Sequence, residues 1–117
     1  MDRFDVVHTE QEGAFAFALA IAPETDAPDW DMTDEERAQF MQDVEDWQIL
    51  YFIARVTCAV SGVEMSSEYL GRCAYASVAD FIQSEYYKDM CAATKVAAVK
   101  QINALHDAII QEAKNEF

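Results

Sequence analysis

The feature that most constrains the fold is a pair of apolar segments on either side of the dipeptide Ser61-Gly62. The segment Leu50–Val60 is rich in β-branched and aromatic residues, which is typical of a strand. A two-residue connection that ends in glycine is typical of a tight hairpin turn. We therefore predict an antiparallel hairpin over about 49–60 and 63–75.

The register of this hairpin follows from placing the turn at its centre. Arg55 then lies opposite Glu68 and Thr57 opposite Ser66, so that an opposite-charge pair and a hydroxyl pair share one face. The other face pairs only apolar or small residues. The predicted hairpin therefore has one face suited to a core.

A third strand is predicted over 14–22, where large apolar residues alternate with alanine. A helix competes with it, because Thr9 to Glu12 forms a capping-box pattern and Pro23 would end a helix. We favour the strand, since only a period of two collects all four large side chains on one face.

A helix over 34–47 is predicted after the capping-box pattern Thr33 to Glu36, which places three acidic residues in the first turn. Phe40, Val44 and Trp47 share one face of this helix and should pack on the core.

A second helical region is predicted over 78–115, opened by the pattern Ser77 to Asp80. As one helix it would be about 55 Å long, which is long for this domain, so we expect a break near Ser84 to Tyr87. The sequence thus predicts one α+β domain over 1–117, with a small antiparallel sheet packed against helices. Association of two copies through the last helix stays open.

Charge excludes several classes of partner. The chain has 22 acidic and 8 basic residues, for a formal net charge of −14, so nucleic acid or an anionic membrane would repel it. Hydrophobic residues make up 52% of the chain, which excludes a disordered protein. The first residues do not resemble a signal peptide, and the longest nearly apolar run is too short to span a membrane. We expect a cytoplasmic protein.

No catalytic, metal or cofactor motif is present in the sequence. Cys58, Cys73 and Cys91 are widely spaced and are expected to be reduced, buried small side chains. His8 and His106 are expected to be surface residues outside any ligand set. The acidic loop lacks the spacing and the glycine of a calcium loop. We therefore expect a protein that is not an enzyme and needs no cofactor or metal.

The negative charge is concentrated in residues 24–46, here called the acidic segment. It holds ten acidic residues and one arginine, whereas residues 47–117 carry a net charge of only −2. A solvated face or adaptation to high salt would also be acidic, but salt adaptation would acidify the whole exterior. The asymmetry favours a surface that recognises a basic partner.

Trp30 lies between Asp29 and Asp31 and has two interpretations. The ring could fold back as a lid on the sheet or the helix, or it could anchor a partner that the flanking acids attract. The predicted partner-binding residues are Asp26, Asp29, Trp30, Asp31, Asp34, Glu35, Glu36, Asp43, Glu45 and Asp46.

In size, acidity and lack of a catalytic signature, the chain resembles the small anti-defence proteins of phages and plasmids, namely anti-CRISPR and antirestriction proteins of the DNA-mimic type. Glu24 to Asp46 carries this resemblance. The resemblance implies a non-enzymatic inhibitor in the host cytoplasm that binds a basic surface on a nuclease or a guide-RNA effector complex. An immunity protein or antitoxin against a nuclease toxin, or an acidic structural or assembly adaptor, are the alternatives.

Overall fold

The computed structural model describes residues 3–116 and contains one four-stranded sheet and three helices. Met1, Asp2 and Phe117, which the predicted domain 1–117 includes, lie outside the described residues. The elements in chain order are β1 (Asp5–Glu12), β2 (Phe15–Pro23), α1 (Asp34–Glu45), β3 (Leu50–Val60), β4 (Val63–Tyr75), α2 (Val78–Ile82) and α3 (Glu85–Glu116). The strands are antiparallel in the order β1-β2-β3-β4. The predicted α+β fold is confirmed.

The hairpin of β3 and β4 has the predicted boundaries and turn. Ser61 and Gly62 both adopt positive φ, at 53° and 78°, as a type I′ turn requires. Val60 pairs with Val63 beside the turn. The strongest local signal in the sequence therefore gives the correct hairpin.

The predicted register holds only next to the turn, because two bulges add residues to β4. The first follows Glu64, so Thr57 pairs with Ser67 rather than Ser66, and their hydroxyls are 3.3 Å apart. The predicted pairing of Arg55 with Glu68 is also wrong.

Arg55 instead lies opposite Tyr69, and its guanidinium carbon stands 4.6 Å from the ring centre of Phe4. The second bulge, at Gly71 and Arg72, shifts the register again before the strand ends. Such bulges bend a strand and shift the pairing of all residues that follow.

Residues 15–23 form a strand, as the alternation predicts, and its partner β1 is a strand that the prediction missed. Thr9 to Glu12 lies in β1 and does not cap a helix. Gly13, at a φ of 60°, occupies the first position of the two-residue turn between these strands. Glycine at that position fits a type II′ hairpin turn.

The core lies on one face of the sheet, beneath α2 and the first half of α3. Sheet residues and helix residues form a single buried cluster there. Its fully or nearly fully buried members include Phe17, Leu19, Phe52, Ala54, Val56, Cys58, Phe81, Tyr87 and Ala98. The large side chains of β2 lie on this face, as the period of two predicts.

The predicted helical region over 78–115 is broken next to the expected position. The break does not shorten the helix to the size of the domain, as the prediction assumed. α2 ends at Ile82, and Ser84 precedes the start of α3. α3 still has 32 residues and is about 48 Å long, so it extends beyond the sheet and gives the molecule a length of 70 Å. No helix within residues 3–116 combines the length and apolarity needed to cross a membrane.

Candidate partner-binding surface

The acidic segment is held to the sheet by a cluster of three aromatic rings. Trp30 from the loop, Phe40 from α1 and Tyr51 from β3 meet edge to face, with ring centres 5.1 to 6.2 Å apart. Phe40 and Tyr51 are buried, and Trp30 remains 40% exposed. The ring of Trp30 thus makes the contacts that its interpretation as a lid predicts.

Two hydrogen bonds hold the loop of the acidic segment by its backbone. The hydroxyl of Tyr51 donates to the carbonyl oxygen of Asp26 at 2.9 Å, and Nε of Arg72 donates to that of Ala27 at 3.2 Å. Burial, together with the nearby carboxylate of Glu24, raises the pKa of Tyr51, so its hydroxyl stays a donor. The loop backbone is therefore anchored while its acidic side chains face solvent.

The start of α1 is the predicted capping box. Thr33 Oγ1 accepts from the backbone N–H of Glu36, and the carboxylate of Glu36 accepts from the backbone N–H of Thr33, both at 3.1 Å. These bonds with Thr33 hold the pKa of Glu36 below its usual range. Glu36 therefore stabilises the helix start.

The predicted binding carboxylates divide into two groups by their contacts. Four have partners within the chain: Asp29 lies 3.6 Å from Arg72, Glu36 bonds Thr33, and Asp43 and Asp46 accept from glutamine side chains one turn earlier. The other five make no hydrogen bond or ion pair among residues 3–116. These unpaired carboxylates are those of Asp26, Asp31, Asp34, Glu35 and Glu45, and all five residues are exposed.

Trp47 was predicted to pack on the core beside Phe40, and this prediction is wrong. α1 ends at Glu45 rather than at residue 47, and the side chain of Trp47 is 84% exposed. It is the most exposed large hydrophobic side chain among the described residues. It follows directly on Asp46, at the end of the acidic segment.

The exposure of Trp47 results from the way α1 ends. The backbone N–H of Gln48 donates to the carbonyl of Asp43, and that of Trp47 donates to the carbonyl of Val44. This is a Schellman motif, whose left-handed residue is usually glycine. Here it is Trp47, at a φ of 62°. A left-handed non-glycine residue costs about 1–2 kcal/mol.

An apolar groove lies beside Trp47. It has a volume of about 320 Å³ and is bordered by Ile21, Pro23, Val44 and Leu50. An exposed tryptophan next to an apolar groove, with unpaired acids on the preceding helix, combines the features of an interface anchor. Sequence reasoning missed this residue because Trp47 continues the apolar spacing of α1 and no glycine marks the helix end.

A separate cluster of titratable groups joins β1 to α3. Glu10 bonds Nε2 of His8 and accepts from the hydroxyl of Tyr87, both at 2.9 Å. The hydrogen bond with His8 lowers the pKa of Glu10, whereas burial strongly raises that of Tyr87. The side chain of His8 is partly exposed, at 31% of its surface.

The cysteine thiols are not activated. Burial raises the pKa of all three, that of Cys73 to about 11. Cys58 and Cys73 are buried as predicted, whereas Cys91 is half-buried, and all three are free. A thiol becomes a nucleophile when its pKa is lowered, and these shifts go the other way.

Within the described part of the chain, no group of three or more histidine, cysteine or acidic side chains is arranged to hold a metal ion. The chain matches no protein-family model, and no significant match is found among curated proteins or solved structures.

Proposed function

We propose that this protein is a non-enzymatic inhibitor that binds a basic, nucleic-acid-binding surface of a host defence complex, of the anti-CRISPR or antirestriction kind. The observation that carries the proposal is the set of five exposed, unpaired carboxylates in the acidic segment, followed at once by the exposed ring of Trp47. Carboxylates without partners in the chain keep their full charge available for a partner.

A nucleic-acid-binding cleft fits this charge pattern. Proteins that hold nucleic acid present lysine and arginine to a phosphate backbone, whose charges are spaced about 3.4 Å apart along each strand. α1 carries exposed, unpaired acids at its two ends, Asp34 and Glu35 in the first turn and Glu45 in the last, about 16 Å apart along the helix axis. Charges held at that separation on a rigid helix can occupy the cleft in place of the nucleic acid.

Trp47 supplies binding affinity that the charged residues alone do not provide. Exposed ion pairs contribute little affinity, whereas a buried aromatic anchor often dominates an interface. Trp47 adjoins the acids and an apolar groove, so one partner surface could contact all three. The acids would then steer association, and the tryptophan would hold the complex.

A second candidate is an acidic assembly adaptor, which the projecting half of α3 favours. In an adaptor the charge would serve solubility, and binding would use an apolar surface instead. An immunity protein against a nuclease toxin would use the same acids as the proposed inhibitor and differs from it only in the identity of the partner.

The test is a triple charge reversal, Asp31→Lys/Glu35→Lys/Glu45→Lys, measured against purified guide-RNA effector complexes and restriction endonucleases. None of these acids has a partner among residues 3–116, so folding should persist. For the complex that the parent chain inhibits, three lysines would then face a basic surface, and because such like-charge contacts are strongly unfavourable we expect an affinity loss of about 100-fold or more at low salt. The remaining affinity should depend less on salt concentration.

The matched control is Glu68→Lys/Asp80→Lys/Asp89→Lys, which changes the net charge equally at three exposed acids outside the acidic segment and outside the second half of α3. We expect this control to retain most of the affinity. Equal losses in the two variants would show that only total charge matters, which contradicts the proposal. Undiminished binding by the first variant would favour the adaptor.

A further inference from the structure

The buried stripe of α3 continues past the edge of the sheet. Tyr87, Met90, Thr94 and Ala98 are buried against the sheet at helical spacing. The same line of the helix then continues with three large aliphatic residues, Ile102, Leu105 and Ile109. We call residues 99–115 the overhang, a length of about 25 Å.

The overhang has no cover among the described residues. Every residue from 99 to 115 is exposed apart from Ile102, which is half-buried. Leu105 is 52% exposed and Ile109 is 60% exposed. Most helical stability in proteins comes from packing of an apolar face, and an isolated helix of this length is marginal in water. The overhang therefore needs an apolar surface to pack against.

The spacing in the overhang is that of a short coiled coil. Ile102 and Ile109 occupy a positions and Leu105 the d position between them, and the next d position, near the end of the helix, is Glu112. The flanking e and g positions carry no acidic or basic residue other than a histidine. They are held by Val99, Gln101, His106, Ala108, Ala113 and Asn115.

The occupant that the heptad spacing indicates is a second copy of the same helix, and charge permits that contact along the overhang. The whole chain carries −14, so two copies repel each other through most of their surfaces. The overhang is the exception, since its two lysines, Lys100 and Lys114, balance Asp107 and Glu112. Three of these four residues, Lys100, Asp107 and Lys114, occupy f positions on the side away from the seam, and the fourth, Glu112, is exposed at the C-terminal end of the seam.

We propose that the protein forms a homodimer in which the overhangs of two copies pack antiparallel along Ile102, Leu105 and Ile109. In a parallel pair the two acidic bodies would lie side by side. An antiparallel pair places them at opposite ends of the overhang, separated by more than the screening length of about 8 Å at physiological salt. The contact is smaller than a standard interface, so the dimer dissociates in the micromolar range.

The inference is independent of the proposed function, because it uses no residue of the acidic segment. The test is sedimentation equilibrium of the parent chain and two variants. Leu105→Glu/Ile109→Glu puts charge into the seam, and we expect it to be monomeric. Ala104→Glu/Gln111→Glu adds the same charge on the opposite side of the overhang, and we expect it to raise the dissociation constant less than about fivefold.

Circular dichroism checks that the sheet and its unfolding transition persist in both variants. If the seam variant does not fold, Leu105→Ala/Ile109→Ala replaces it, with an expected loss of dimer of about tenfold or more. A parent chain that is monomeric up to about 500 µM overturns the proposal. So does a dimer that neither seam variant weakens.

Spin labels test the antiparallel arrangement. A label at Asn115→Cys, in a Cys91→Ser background, is expected to lie about 25 Å along the axis from its copy in an antiparallel pair. A label at His106→Cys, near the middle of the overhang, should lie close to its copy. Short distances at both positions would mean a parallel pair and would overturn the arrangement.

Discussion

Replacing Trp47 with glycine is expected to weaken partner binding by about 30-fold or more without loss of folding stability. The affinity loss corresponds to about 2 kcal/mol, the size usual for an interface anchor. The exposed ring contributes little to the folded state, because 84% of its surface is already in water. Binding and stability should therefore respond to this substitution in different ways.

The backbone conformation of Trp47 lets this substitution change binding without lowering folding stability. Its φ of 62° is unfavourable for tryptophan and natural for glycine at the end of a Schellman motif. Relief of about 1–2 kcal/mol is opposed by about 0.5–1 kcal/mol of added chain entropy in the unfolded glycine variant. The free energy of unfolding should stay constant or rise by up to about 1.5 kcal/mol, as urea denaturation followed by circular dichroism will measure.

Two further substitutions separate the effect of losing an aromatic ring on binding from its effect on folding stability. Trp47→Ala removes the same ring but keeps the strained backbone, so it should bind as weakly as the glycine variant and be less stable than it by about 1 kcal/mol. Trp30→Ala removes a ring packed on Phe40 and Tyr51 and should cost stability. If Trp47→Gly binds as tightly as the parent chain, Trp47 is not an anchor.

Phe81→Ala is expected to have the largest effect on stability, a loss of about 3–5 kcal/mol. Phe81 is fully buried, and its ring contacts Phe52 of β3, Tyr75 of β4 and Tyr87 of α3, with ring centres 5.1 to 6.0 Å apart. Its removal leaves a cavity where the sheet meets α2 and α3. A loss of this size is a large fraction of the 5–15 kcal/mol typical of a whole domain.

Urea denaturation also measures this effect, with Val63→Ala as the control. Val63 is more than half exposed beside the hairpin turn, so its truncation should change the free energy of unfolding by less than about 0.5 kcal/mol. A loss below about 1 kcal/mol for Phe81→Ala would contradict the placement of this ring at the centre of the core.

The sequence predicts best those elements that are specified by residues close together in the chain. The hairpin turn, the apolar face of β2 and the capping box of α1 were predictable because each depends on neighbouring residues. β1 was missed because it is an edge strand with almost entirely exposed side chains, so no apolar alternation reveals it. The bulges of β4 were missed because Met65 and Arg72 fit an uninterrupted strand equally well.

The candidate surface was only partly predictable. Charged side chains remain in water, so the exposure of the acids could be expected from composition. The pairing of Asp29 with Arg72 could not be predicted, because it joins two distant parts of the chain. The exposure of Trp47 depends on a helix end without glycine, and the overhang depends on where the sheet stops. Neither leaves a local signal in the sequence.

Direct competition with nucleic acid is the most informative measurement. The inhibited complex is held at constant ionic strength, and its affinity for this protein is measured at increasing concentrations of its own target nucleic acid. We expect the apparent dissociation constant to rise in proportion to that concentration, because both ligands occupy the same basic surface. An apparent dissociation constant that does not change with added nucleic acid would contradict occupation of that surface.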